Sequence, residues 1–343
     1  MEQIKLTEYS HGAGCGCKIS PMLLDEILKT NISTTLYPEL LVGNEHKDDA
    51  AAYDLGNGTS VLSTTDFFMP IVDDAFTFGR IAATNALSDI YAMGGKPLMA
   101  ISIFGWPIDK LSADVARQVI EGGRMACEDA GIPLAGGHSI DSPEPIFGLA
   151  VTGLVENKNI MKNSGGEENC FIFLTKPIGI GILTTAQKQK KIEADDIDAA
   201  IEAMVTLNKS GAVLASLDCV VTMTDITGFG LLGHLSEVCE ASAISANIWF
   251  EKVPLLPNVE KYRALGCIPG GSRKNFMSYG HKISQMNDMQ REILCDAQTS
   301  GGLLIMVRKD GLDEFYETAH VLGLHLEPIG ETVAQGKHLV EVL

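Results

Sequence analysis

Five aspartates stand where their carboxylates could hold a metal ion: Asp48, Asp49, Asp66, Asp89 and Asp225. Carboxylate oxygens are hard ligands that suit Mg²⁺, which commonly binds through one or two carboxylates and the phosphates of a substrate. Without a metal they would repel a polyphosphate, because two unit charges about 4 Å apart interact by about 4 kcal/mol at an effective dielectric of about 20. The set therefore predicts a polyphosphate bridged to the protein by Mg²⁺. The alternative for any single exposed aspartate is that it caps a turn or a helix.

A predicted helix carries one of these aspartates in its middle. The segment from Phe78 to Met93, FGRIAATNALSDIYAM, is apolar or small on most sides, which predicts a helix that is almost wholly buried. Asn85, Ser88 and Asp89 are spaced i, i+3 and i+4, so they lie on one stripe of that helix. Burial of such a stripe is costly unless partners, a metal or a ligand satisfy it. Asp89 is the exception to the capping alternative, because caps do not occur in the middle of a helix.

A second chemical signal lies near the amino terminus, in the run Cys15-Gly16-Cys17-Lys18. The neighbouring cation Lys18 would favour the thiolate of Cys15, and a soft nucleophile beside an anion-binding lysine suits chemistry on sulfur or selenium next to phosphate. The alternative is a soft-metal site with His11, which has three ligands and no fourth nearby. Residues 1–20 are polar and rich in glycine, which predicts a mobile loop.

Several common motifs are absent from the chain. The P-loop pattern fails at Gly16-Cys17-Lys18-Ile19, and the dinucleotide-binding fingerprint fails at Gly179–Thr184, where the third small residue is missing. The sequence contains no GxSxG, HExxH or paired CxxC motif, which argues against an elbow hydrolase, a zincin and a four-cysteine zinc site.

Composition limits the classes of function. The chain has 343 residues, 45% of them hydrophobic, and a formal net charge of −18, with no basic patch. Duplex nucleic acid and anionic membrane surfaces are therefore poor partners. Neither a signal peptide nor a membrane span is recognisable, so we expect a cytoplasmic protein in which the eight cysteines do not form structural disulfides.

The order of predicted elements indicates an α/β protein with two domains. Strand candidates at 50–54, 59–65, 98–104 and 146–154 alternate with helices at 78–93 and 112–130, and a similar alternation fills the second half. The polar, glycine-bearing stretch at 157–166 predicts a domain boundary. We therefore divide the chain into a mobile loop at 1–20, a first domain at 21–156 and a second domain at 157–343.

Seven segments together make the sequence similar to the selenide, water dikinase (selenophosphate synthetase) family over essentially the full length. They are HGAGCGCK, KDDAA, STTDFFMP, TNALSDIYAMGGKP, LAGGHSI, MTDITGFGLLGH and DAQTSGGLL. Aminoimidazole ribonucleotide synthetase, thiamine-monophosphate kinase and the hydrogenase maturation factor share the fold and the aspartates but lack GCGCK. The first segment is therefore the one that separates this family from its relatives.

The resemblance implies a reaction in which ATP, hydrogen selenide and water give selenophosphate, orthophosphate and AMP. It implies a two-domain fold like that of aminoimidazole ribonucleotide synthetase, with the N-terminal domains pairing into a β-barrel-like core of a homodimer. The residue roles that it implies are Cys15 as the selenium-handling group, Lys18 as a catalytic and phosphate-contacting group, Asp49, Asp89 and Asp225 as Mg²⁺ ligands, and His46, Lys47, Asp48, Asp66, Gly137, His138 and Ser139 as ATP contacts.

Two other functions remain compatible with the residues. One is an ATP-dependent enzyme of the same fold that acts on another acceptor. The other is a carrier of selenium or metal without catalytic activity, which would use Cys15, Cys17 and His11 but would leave the aspartates without a purpose. The resemblance favours the dikinase, and in that case Cys17 is interpreted as a structural residue.

Overall fold

The computed structural model describes residues 4–19, 21–29 and 37–343. These residues form two six-stranded sheets, one in each half, and helices cover one face of the first sheet. Among the described residues, no helix combines the length and the apolar character needed to cross a membrane.

The described part of the first half contains six strands and three helices. They are α1 (Pro21–Ile27), β1 (Leu40–Val42), β2 (Ala51–Asp54), β3 (Thr59–Phe68), α2 (Ala75–Ala92), β4 (Lys96–Trp106), α3 (Ala113–Ala130), β5 (Leu134–Asp141) and β6 (Ile146–Glu156). The strand order is β1-β2-β3-β6-β4-β5, and all neighbours are antiparallel except β4 and β5. Two short 3-10 turns, Leu6–Tyr9 and Gly14–Cys17, precede these elements.

The second half contains the remaining elements. They are β7 (Cys170–Leu174), α4 (Ile180–Lys188), α5 (Ala194–Val205), α6 (Gly211–Leu214), β8 (Val220–Asp225), α7 (Gly230–Ser242), β9 (Ile244–Ile248), α8 (Val259–Ala264), α9 (Gly270–Tyr279), α10 (Asp288–Leu294), β10 (Leu303–Arg308), α11 (Leu312–Val321), β11 (Gly330–Ala334) and β12 (Val340–Val342). The strand order is β12-β9-β11-β7-β10-β8, with only β9 and β12 parallel among these pairs.

Helix α2 is the central element of the molecule. The Asp74 side chain caps it by accepting a hydrogen bond from the Thr77 N–H at 2.7 Å. Nearly every residue that follows is buried, because α2 packs against β3, β6 and α3 of its own half and against β8 and α5 of the other half. The predicted buried helix is thus confirmed, and its polar stripe lies where the two halves meet.

The structure differs from the sequence-based prediction at two points. The segment Gly136–Asp141, which lies outside the predicted strands, is part of the edge strand β5. Asp66 lies inside β3 instead of after its end, because pairing with β6 continues to Phe68. The mobility predicted for residues 1–20 stays a prediction; residues 4–19 are described, with Leu6 and Cys15 buried, and residues 1–3 and 20 lie outside the described residues.

Candidate functional site

Three aspartates from distant parts of the chain meet between the two halves. Asp49 lies two residues before the start of β2, Asp89 lies in α2 and Asp225 ends β8. One carboxylate oxygen from each residue lies within 4.8 Å of those of the other two. Asp89 is 8% exposed and Asp225 is 2% exposed, so the oxygens converge in a largely water-excluded position.

Neighbouring threonines fix the orientation of this cluster. The Thr64 hydroxyl donates to Asp89 Oδ2 at 2.5 Å, and the Thr224 hydroxyl donates to Asp49 Oδ1 at 3.0 Å. Asp225 Oδ2 is buried without a hydrogen-bond partner among the described residues. An unsatisfied buried carboxylate oxygen is costly, which indicates that a ligand belongs beside it.

The electrostatics of the cluster favour protonation or a bound cation. Burial, followed by repulsion from Asp225, raises the pKa of Asp49 and of Asp89 well above the ordinary value. Burial also raises the pKa of Asp225 to about 6, although a hydrogen bond from Ser88 opposes the shift. Three oxygen donors held together against their mutual repulsion fit a hard divalent cation such as Mg²⁺.

Lys18 brings a positive charge to the same place. Its Nζ lies 3.7 Å from Asp66 Oδ2, and its side chain is about one-third exposed. Partial burial opposes the charge on Lys18, but the nearby Asp66 and the other carboxylates outweigh it and raise the pKa above the ordinary value. Asn85 donates through Nδ2 to the same Asp66 oxygen, so Asp66 connects the lysine to the polar stripe of α2.

These groups line one cavity of about 610 Å³. Lys18, Lys47 and Asp48 form part of its wall, together with Asp66 and the three clustered aspartates. The volume is that of a typical small-molecule site. His46 lines an adjacent cavity of about 500 Å³, to which Asp48 also contributes.

Asp48 and Lys47 are oriented by the second half of the chain. Asp48 Oδ1 accepts the Asn163 N–H at 2.6 Å, and burial raises the pKa of Asp48. The Nζ of Lys47 lies 4.0 Å from Glu237 Oε1. Both residues therefore face the boundary between the halves, as an interdomain ligand site requires.

Three further predicted contacts lie outside both of these cavities within one chain. Gly137, His138 and Ser139 are exposed on β5, at the edge of the first sheet. Strand β5 is separated from β3, which carries Asp66, by β4 and β6. His138 therefore lies opposite Phe67 of β3 at three strand spacings, or about 14 Å.

Cys15 lies at the margin of the site but is not exposed. It is 1% exposed, and its Sγ donates to Asn85 Oδ1 at 3.3 Å. The thiol is therefore buried, although it belongs to the segment predicted to be a loop. The Cys17 side chain lies outside the described side chains, so its predicted structural role stays a prediction.

Sequence reasoning missed His234 and Glu237, which also line the cavity. His234 Nε2 accepts the Thr227 N–H at 3.2 Å, and its ring stacks on Phe229 with centroids 5.6 Å apart. Burial lowers the pKa of His234 to about 3, so the ring is neutral. The sequence did contain a signal for this pair. His234 and Glu237 are polar residues spaced i and i+3 on the largely apolar helix α7, the same kind of pattern that marked Asp89.

Comparison with known proteins agrees with this architecture. Residues 47–155 match the family described as AIR synthase related protein, N-terminal domain, and residues 167–342 match the corresponding C-terminal domain. Among solved structures, thiamine-monophosphate kinase from Stenotrophomonas maltophilia is similar with a TM-score of 0.66 and 19% identity, covering 89% of this chain and 91% of that one. Hydrogenase maturation protein HypE in complex with ATP is similar with a TM-score of 0.61 and 18% identity, covering 87% and 82%.

The fold and the interdomain acidic cavity thus define a protein of the AIR synthase related class. Within it, the chain is 84% identical to the selenide, water dikinase of Sulfurimonas denitrificans over 100% of both chains, and 59% identical to that of Yersinia pseudotuberculosis over 99% of this chain and 98% of the relative. The chain belongs to the selenide, water dikinase family.

Proposed function

We propose that the protein synthesises selenophosphate from ATP, selenide and water, with release of AMP and orthophosphate. The observation that carries this proposal is the 84% identity to a selenide, water dikinase over the whole of both chains. The acidic cavity between the halves supports it, because an ATP-using enzyme needs a site that positions a polyphosphate and excludes water.

We propose Asp49, Asp89 and Asp225 as the residues that hold Mg²⁺. Their converging oxygens and the orphaned Asp225 Oδ2 support this assignment. Bound there, Mg²⁺ would supply charge neutralisation for the phosphates. The three aspartates would determine where the ion lies. Thr64 orients Asp89 and Thr224 orients Asp49 through hydrogen bonds.

Lys18 is proposed to contact phosphate and Cys15 to handle selenium. In the structure the Lys18 ammonium faces the carboxylate of Asp66. A bound phosphate would compete with this carboxylate for the ammonium. Residues 1–20 would then close over bound ATP, which hydrogen exchange tests: a non-hydrolysable ATP analogue with Mg²⁺ should slow exchange in this segment. Exchange that is unchanged by the analogue would show a fixed wall instead.

ATP would also be contacted by Asp48, Asp66, His46 and Lys47, which line this cavity or the adjacent one. We propose that Gly137, His138 and Ser139 reach ATP from the partner subunit of a homodimer, because they lie on an edge strand away from their own chain's cavity. The dimer would form through the N-terminal domain, at 21–156, with 157–343 as the second domain. The cytoplasmic location of the protein stays a prediction.

Nucleotide product analysis tests the function. Under anaerobic conditions with Mg²⁺ and selenide, we expect AMP, orthophosphate and selenophosphate in equal amounts, measured by phosphorus NMR. Cys15→Ser should abolish selenophosphate formation, whereas Cys127→Ser, which alters a buried cysteine in α3, should not. Formation of ADP and one phosphate product would instead identify a kinase with another acceptor. Stoichiometric soft-metal binding without ATP turnover would identify a carrier.

A further inference from the structure

Cys15 is held by residues from both halves of the chain. Its backbone N–H donates to the Thr299 hydroxyl oxygen at 3.0 Å, and Thr299 is 2% exposed. Its thiol donates to Asn85 Oδ1 at 3.3 Å. Asn85, from α2, thus contacts the thiol of Cys15, and Thr299, from the segment that precedes β10, contacts its backbone.

The backbone around Cys15 is shaped for this contact. Gly14 has φ +50°, and a Cβ at this position would lie 2.5 Å from the Thr299 hydroxyl oxygen. A Cβ on Gly228 would lie 2.5 Å from the Cys15 carbonyl oxygen. Only glycine permits both close approaches, so the turn that carries Cys15 fits tightly between Thr299 and Gly228.

Ser300 completes the arrangement through its backbone. Its N–H donates to Asn85 Oδ1 at 2.7 Å, the same oxygen that receives the Cys15 thiol. Its carbonyl accepts from the buried ammonium of Lys176 at 2.9 Å. Ser300 has φ +51°, and its buried hydroxyl has no hydrogen-bond partner among the described residues. A serine rarely adopts this backbone conformation, and such residues cluster at functional sites.

We propose that Thr299 and Ser300 are positioning residues for Cys15. Thr299 holds the backbone of the cysteine, and Ser300 holds the amide oxygen of Asn85 that receives the thiol. Neither is among the described residues that line the acidic cavity, and their hydrogen bonds lead to Cys15 directly or through Asn85, so the effect that we assign to them is on Cys15. The proposal deepens the proposed function and rests on it in one respect, the role of Cys15 in handling selenium.

The first test measures how well Cys15 is shielded, by its rate of alkylation with iodoacetamide followed by tandem mass spectrometry. Thr299→Val removes the acceptor at nearly constant volume, and we expect Cys15 to be alkylated roughly tenfold faster, as for loss of one buried hydrogen bond. Thr299→Ser should restore the slow rate. Thr299→Ala, which also removes the acceptor, replaces the valine variant if that variant does not fold.

A matched control is available in the same half of the chain. Thr332 accepts the N–H of Cys170 at 2.8 Å, an equivalent contact between a threonine and a cysteine away from the site. Thr332→Val should leave Cys15 alkylation within about twofold of the original protein. Equal Cys15 rates in the original protein and in Thr299→Val, or an equal increase in Thr332→Val, would overturn the proposal.

The second test measures turnover. Thr299→Val should lower kcat for selenophosphate formation by roughly tenfold while KM for ATP stays unchanged, because the variant displaces Cys15 and leaves the cavity intact. A rise in KM for ATP with unchanged kcat would contradict the proposal. If the original protein formed no selenophosphate, the proposed function would fail, whereas the alkylation rates would still decide whether Thr299 positions Cys15.

Discussion

Single residues show the unfavourable electrostatics of the site, which the proposed Mg²⁺ would relieve. Asp49, Asp89 and Asp225 lie close enough to share one ion, and burial raises the pKa of each. Their proximity is destabilising in the absence of a cation, because like charges in a poorly solvated position repel one another. Such residues contribute to function more than to stability.

We predict that Asp89→Asn abolishes turnover without unfolding the protein. Asparagine is nearly isosteric, can still accept the Thr64 hydrogen bond and removes one of the repelling charges. Mg²⁺-dependent ATP turnover should fall at least about 100-fold, and the free energy of unfolding in EDTA should stay equal or rise by up to about 1 kcal/mol. Asp114→Asn, on the exposed surface of α3, is the control and should change neither quantity. Unfolding of Asp89→Asn in EDTA would show instead that the stripe on α2 is a structural hydrogen-bond network.

At the scale of elements, the segment at 296–304 contacts both the Cys15 region and the start of helix α4. In DAQTSGGLL, Thr299 and Ser300 contact the Cys15 region, whereas the residues before them stabilise helix α4. Gln298 Oε1 accepts the N–H groups of Gly179 and Ile180 at 3.0 and 3.1 Å, and Asp296 Oδ2 accepts the N–H of Ile182 at 3.2 Å. These side chains satisfy the free N–H groups at the start of the helix, as an N-cap would, but from a distant part of the chain.

We predict a pH dependence of stability that comes from Asp296. Burial raises its pKa to about 7, although the N–H donors oppose the shift, and the unfolded value is near 3.8. The folded protein therefore holds a proton that the unfolded chain releases, and stability is lost as pH rises from about 4 to about 7. In urea titrations in EDTA, Asp296→Asn should make this decline shallower by about 1 kcal/mol per pH unit.

The control for this prediction is Asp288→Asn, at the exposed start of helix α10. It also removes a carboxylate near a helix N-terminus, but one in contact with solvent, so the pH slope should not change. An identical slope in the original protein and in Asp296→Asn would show that Asp296 stays ionised when folded.

At the scale of the whole molecule, the first sheet has one face that its own helices leave uncovered. Phe67 of β3 and Leu98, Met99 and Ile101 of β4 are between 43% and 52% exposed. Large apolar side chains grouped on the open face of a sheet are typical of an interface with another chain. The open face therefore supports the proposed homodimer through the N-terminal domain.

We predict that Leu98→Glu produces a monomer. The added charge would have to be buried without a partner within the proposed interface, which strongly disfavours association. Light scattering after gel filtration should give twice the mass of one chain for the original protein and the mass of one chain for the variant. Val321→Glu changes an 83% exposed apolar residue of α11 and should leave the dimer intact. A monomeric original protein, or a dimeric Leu98→Glu variant, would contradict the proposal that the dimer forms through the open face of the first sheet.

The sequence by itself determined those features whose causes are local. The apolar run around Asn85, Ser88 and Asp89 predicted a buried helix with a polar stripe, and α2 has both properties. The residue types of the aspartates predicted hard-ion chemistry, since ligand preference depends on the donor atom and not on the fold. The strands predicted at 59–65 and 98–104 lie within β3 and β4, because alternation and turn residues act within a few positions.

Only the tertiary structure decided which of these groups meet. Cys15 and Thr299 are 284 positions apart, and no local pattern relates them. The edge position of Gly137–Ser139 and the burial of Cys15 likewise depend on how β5 pairs and how the two halves pack. The physical reason is that local propensities choose between helix and strand within a segment, whereas the burial, pKa and partners of a side chain depend on segments that the chain brings together only when it folds.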